Sequence, residues 1–156
     1  MPSRASASSW ASASQAGRSR GGVSHRRRLP RFKARVRELT RRTCGRSLEQ
    51  IAKELSTYLV GWRGYFGFCQ TPSVLSALDQ WIRRRLRAIA WKQWKRGRTR
   101  FAELRRRGVG RDLAAQTAGS PHGPWRLAAS PALNIALQTV FFRSLGLASI
   151  AAPRPA

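Results

Sequence analysis

Acidic residues are few in this chain: six Asp or Glu stand against 31 Lys or Arg in 156 residues, a formal net charge of +25. Asp79, Glu103 and Asp112 fall on separate stretches and nothing pairs them. Their expected places are helix ends and ion pairs among arginines, not a general acid–base couple. Cysteine is scarcer still. Cys44 and Cys69 stand 25 apart with no CxxC, which leaves no disulfide framework and makes both structural thiols. His25, Cys44, Cys69 and His122 lack metal-ligand spacing, and His122 in its Gly/Pro loop reads as a solvated turn residue, so neither metal nor cofactor is expected. GxxxxGK[ST], HExxH and GxSxG are absent, which excludes the enzyme classes that depend on them. No run approaches the roughly 18 apolar residues of a spanning helix, and no charged-then-apolar leader opens the chain. The expectation is a soluble, intracellular, non-catalytic protein with no membrane partner.

What is abundant is positive charge. Between Arg83 and Arg107 stand twelve Lys or Arg with Glu103 as the only acid. A solvated protein face normally mixes both signs, so this density implies a polyanion, and nucleic acid is the expected partner. The 42% hydrophobic content, with six Trp, suffices for one domain with a core.

Residues 1–28 are rich in Ser, Ala, Arg and Gly, carry no acid and show no periodicity, which predicts a disordered basic segment. The composition is also that of an organelle transit peptide, and HRRR at residues 25–28 resembles a nuclear signal, although the bacterial cytoplasm is the favoured location. From Pro30 the pattern is helical. Phe32, Val36 and Leu39 mark a short basic helix before Gly45. Ser47 with Gln50 forms a capping box ahead of a stripe of Leu48, Ile51, Ala52, Leu55, Leu59, Trp62 and Phe66. Gly61, Gly64 and Gly67 in that helix call for either close approach of another backbone or fraying of the last turn.

Thr71 and Pro72 open the longest helix, expected to reach about Arg96 before Gly97, with Val74, Leu75, Leu78, Trp81, Ile82, Leu86 and Ile89 buried. Shorter helices are predicted over 99–107 and 111–118, then a turn-rich GSPHGPW. One final helix follows from the Ser130–Pro131 cap through Leu133, Leu137, Val140, Phe141 and Leu145 to Gly146. No strand pattern competes, so the fold class is all-α, a small helical bundle. The helical domain is expected over 30–150, with a tail at 151–156.

Arginine forks bind phosphate oxygens while aromatic rings offer stacking surfaces to unpaired bases. The candidate nucleic-acid-binding residues are Arg83, Arg84, Arg87, Lys92, Lys95, Arg96, Arg98, Arg100, Arg105 and Arg106. Trp91 and Trp94 are the candidate stacking rings, weighed against the reading that both are core residues.

The words FKARVRELTRR, YLVGWRGYFGFCQTPSVLSALDQWIRRRLRAIAWKQWKR, RTRFAELRRRGV, GPWRLAASPALNIAL and FFRSLGL, in this order, resemble the maturase-specific domain of group II intron-encoded proteins, the helical thumb that follows their reverse transcriptase. The resemblance implies an RNA-binding module that helps intron RNA reach its self-splicing structure, with the chemistry left to the RNA and its metal ions. It makes group II intron RNA the expected partner, with a separate reverse transcriptase chain as a second one. Tyr58 and Tyr65 have no Asp after them, so the Tyr-x-Asp-Asp polymerase site of the family is missing from this sequence. The expectation is a truncated remnant of an intron-encoded reverse transcriptase whose first 28 residues are read out of frame. The alternatives are a partner-dependent or nonfunctional fragment and a general basic nucleic-acid-binding protein.

Overall fold

A computed structural model describes residues 22–41, 45–66 and 71–152. Among them are eight helices and no strand: α1 (Gly22–Leu39), α2 (Leu48–Phe66), α3 (Pro72–Gln93), α4 (Gly97–Arg106), α5 (Arg111–Ala118), α6 (Pro124–Leu127), α7 (Pro131–Ala136) and α8 (Thr139–Ser144). The all-α bundle expected from the sequence is what forms. The expectations for residues 1–21, Cys44, Gly67 and Cys69 fall outside the described residues.

α1 begins at Gly22, ahead of Pro30, and passes through that proline. The ring has no N–H to offer, so the Arg26 carbonyl lacks its helical partner, yet the backbone of 22–28 is helical without any apolar period to announce it. Further along, Phe32 and Val36 are buried and face α2, whose capping box forms in full. The Gln50 N–H donates to Ser47 Oγ (3.2 Å) and the Ser47 N–H to Gln50 Oε1 (3.1 Å). Ile51, Ala52, Leu55, Leu59 and Trp62 are all buried, and α2 packs in turn on α3.

A Cβ added at Gly61 or Gly64 would meet no atom within 4 Å, so close approach of a backbone does not explain these glycines. Gly61→Ala and Gly64→Ala should therefore each raise stability by roughly 0.5–1 kcal/mol, seen as a higher urea midpoint. A lowered midpoint for either would show that the face is occupied.

α3, 22 residues and about 33 Å long, is the spine of the molecule. It stops at Gln93, short of the expected Arg96, because Trp94 leaves helical geometry and its carbonyl accepts from Arg100 Nε (2.8 Å). Gly97 is consequently the first residue of α4 instead of a stop, and lies against the Ala118 carbonyl of α5, with which α4 forms a close pair.

α4 and α8 end alike. Gly108 (φ 86°) donates to the Arg105 carbonyl and Val109 to that of Leu104, while Gly146 (φ 88°) donates to Arg143 and Leu147 to Phe142. Both are Schellman closures that need the left-handed residue, and Val109 is fully buried behind the first.

The single final helix expected from residue 131 is in fact two. Leu137 breaks it, with its side chain buried and its carbonyl captured by Arg87 Nε from α3 (3.1 Å). The break turns α8, so that Phe142 is buried and Val140, placed on the buried stripe by the period, is 70% exposed.

Candidate nucleic-acid interface

The basic belt divides into two sets once α3 is packed. Leu78, Ile82, Leu86 and Ile89 point into the core, and the arginines flanking them reach across to later elements. Arg84 donates through Nε and Nη2 to the Trp125 carbonyl (3.3 and 3.1 Å) and lies 4.2 Å from the centroid of that indole. Arg87 holds the Leu137 carbonyl, and Arg83 approaches the buried Asp79 at 3.9 Å. Burial, and secondarily the charge of Arg83, push the Arg87 pKa below its usual value. Arg100 is tied to the Trp94 carbonyl and covers Trp91 at 4.7 Å. Arg105 donates to the Val109 carbonyl (2.9 Å), and Arg106 pairs with Glu103 at 3.2 Å. All six of these candidates therefore carry structural contacts.

The second set is Lys92, Lys95, Arg96 and Arg98. They are exposed at the junction of α3 and α4, and among the described residues none of their side chains has an ion pair or hydrogen bond. Four cations within seven positions and no facing carboxylate give this end of the spine its positive field.

Trp91 is 1% exposed, covered by the Arg100 guanidinium of α4, and has no face to offer a base. Of the two candidate rings it is a core residue. Trp94 is half-buried, edge-on to Trp91 at 6.2 Å, with the Arg107 guanidinium 5.6 Å from its centroid.

The fold also assembles aromatic and cationic groups that the sequence left apart. Trp81 is surrounded by Lys33 (5.9 Å) and Arg37 (5.7 Å) from α1 and by Arg85 (5.4 Å) from its own helix. Arg85 reaches on to Thr40 Oγ1 (2.8 Å), which closes the end of α1 on the Val36 carbonyl. Charge attraction to the ring faces thus joins α1 to α3, each contact contributing about 0.5–1 kcal/mol.

Residues 29–108 match the family described as the group II intron, maturase-specific domain. The chain belongs to this family. The match spans α1 from Leu29 through α4, so both sets of basic residues lie inside the maturase-specific region, while α5–α8 lie beyond it. A maturase-specific domain is a non-catalytic module with a role in group II intron splicing, in association with the intron RNA. Comparison with curated proteins finds no match. Among the described residues no helix is long and apolar enough to cross a membrane, and no three His, Cys, Asp or Glu gather as a metal site.

Sequence reasoning missed how the C-terminal segment of this maturase-specific chain is held. Asp79 is 5% exposed, and its carboxylate accepts from the Ile150 N–H (3.0 Å), the Ala151 N–H (3.2 Å) and the Ser149 hydroxyl. Arg63 of α2 donates to the carbonyls of Ser149 (3.1 Å) and Ala152. One acid and one base thus take opposite ends of the same backbone turn and seat Ile150 in the core. The only signal was Asp79 itself, an acid beside the apolar stripe of α3, and its partners lie some 70 residues downstream.

Proposed function

We propose that this chain is an RNA-binding splicing accessory, which grips group II intron RNA through the α3–α4 junction and helps it reach its splicing structure. The observation that carries this reading is the exposed quartet Lys92, Lys95, Arg96 and Arg98, which has no counter-charge among the described residues and lies within the maturase-specific region. Phosphate contacts of this kind release counterions, so affinity falls steeply with salt. For about five contacts to irregular RNA, log K against log salt should slope by about −3 to −4. Converting the quartet to Gln should flatten that slope by about 0.7 for each of the four cations that engages a phosphate, measured by fluorescence anisotropy with a structured intron RNA fragment. An unchanged slope would remove the junction from the interface. The location this reading implies is the bacterial cytoplasm, where the RNA is made.

A second reading is favoured by a different face. Val60 (60% exposed) and Tyr65 (81% exposed) stand on α2 beside the open Gly61 and Gly64. Such a face suits docking onto a separate reverse transcriptase chain, which would make the module partner-dependent. Sedimentation of the chain with and without that polymerase decides it, since the RNA-only reading requires tight binding with no polymerase present.

A further inference from the structure

A groove of about 560 Å³ runs between the middle of α3 and the α6–α8 segment, and Arg83, Arg84, Arg87, Trp81 and Asn134 line it without a single carboxylate. Its size is in the range of cavities that hold small ligands. Arg84 and Arg87 are fixed there by carbonyls of Trp125 and Leu137. A carbonyl orients a guanidinium but does not neutralise it, so each keeps its full charge. Each also retains unspent N–H donors: among the described residues nothing accepts from Nη1 of Arg84 or from either Nη of Arg87. The one nearby acid, Asp79, is already engaged by Ser149, Ile150 and Ala151. Two rigid, charged forks facing an open, acid-free groove are arranged for a tetrahedral oxyanion. An anion there would also relieve the mutual repulsion of Arg83 and Arg87.

We infer that this groove seats a backbone phosphate of the bound RNA on Arg84 and Arg87, separate from the exposed quartet. The inference rests on the RNA-binding reading above and adds a defined seat to it. Eight residues of helix, about 12 Å, separate Arg84 from Lys92, so one strand can engage both. The quartet supplies attraction and the groove fixes the register of the strand.

The test places charge at the groove wall without touching the arginines. Ala77 is exposed and lines the groove. In the full chain, Ala77→Glu should weaken binding of a mixed-sequence 12-nucleotide RNA by about 10-fold, and Ala77→Lys should leave it unchanged or tighter, as opposite charges near one phosphate require. Circular dichroism establishes that both fold. Equal losses from both variants would mean that bulk and not charge decides, and would overturn the proposal.

Nitrogen-15 NMR gives a local reading. The Arg84 Nε–H and the Asn134 side-chain amide should shift on adding the RNA, and inorganic phosphate should move the same signals only at millimolar concentration. Adenosine monophosphate binding more tightly than the oligonucleotide would overturn the backbone assignment in favour of a mononucleotide site. If the RNA binds and the quartet variant weakens it while Ala77→Glu and the NMR signals do not respond, the groove proposal fails and the RNA reading stands. If no RNA binds but phosphate shifts these signals, the RNA reading fails and the groove is an anion site of another kind.

Discussion

Trp62→Ala should destabilise the domain by roughly 3–5 kcal/mol, the usual cost of emptying a large aromatic site in a core that only partly collapses. Trp62 is 7% exposed and its ring centroid lies 4.4 Å from that of Phe32, which in turn stacks on Tyr58 at 5.8 Å. The cavity would therefore open where α1 meets α2, leaving α1 to Val36, the Phe32–Tyr58 contact, the Arg85–Thr40 hydrogen bond and the cations on Trp81. Small domains have only about 5–15 kcal/mol in total. Guanidinium denaturation followed by helix circular dichroism should show a midpoint falling toward zero. A shift no larger than that of a change at exposed Val140, about 0.5 kcal/mol or less, would show that Trp62 is not part of the cooperative core.

Asp79→Ala should cost nearly as much, about 3–5 kcal/mol, by a different route. The mutation leaves two backbone N–H groups and the Ser149 hydroxyl without their acceptor, and Arg83 without its closest acid. The damage should be local first. Hydrogen exchange at Ile150 and Ala151 should lose its protection, while the Ser47–Gln50 end of α2 keeps its own. Asp79→Asn should fall between, since an amide oxygen in the place of Oδ2 can accept two of the three bonds but the NH2 then faces the Ile150 N–H. Full protection at Ile150 in Asp79→Ala would mean that the segment is held by apolar packing alone.

These contacts mark the limit of what the sequence made legible. Features set within one turn of chain were readable: the Ser47 box, the Ser130 cap that accepts from Leu133, the start of α3 at Pro72 and the whole of α5. Features set by partners farther off, from nine to about 90 residues away, were not. The split at Leu137 depends on Arg87, the closure of 149–152 on Asp79 and Arg63, and the burial of Trp91 on where α4 folds back. The same rule explains the candidate site. Periodicity identified a basic belt but gave all ten cations equal standing, because nothing local distinguishes Arg87, committed to a carbonyl, from Lys92, which is exposed. Glycines inside α2 need a reason, and the open space beside Gly61 and Gly64 removes close backbone approach as that reason.

Arg63, Arg84, Arg87, Arg100 and Arg105 each grip a main-chain carbonyl, whereas among the described residues none of the four lysines, at positions 33, 53, 92 and 95, does so. A lysine at any of the five positions would conserve the charge yet lose the planar fork that holds the joint, and a glutamine would shorten the reach and dim the field as well. Drift in this gene is constrained accordingly. Arginine codons at the joints answer to folding even if every RNA contact were abandoned, so a lineage that stopped splicing would still keep these five arginines for as long as it kept a folded protein.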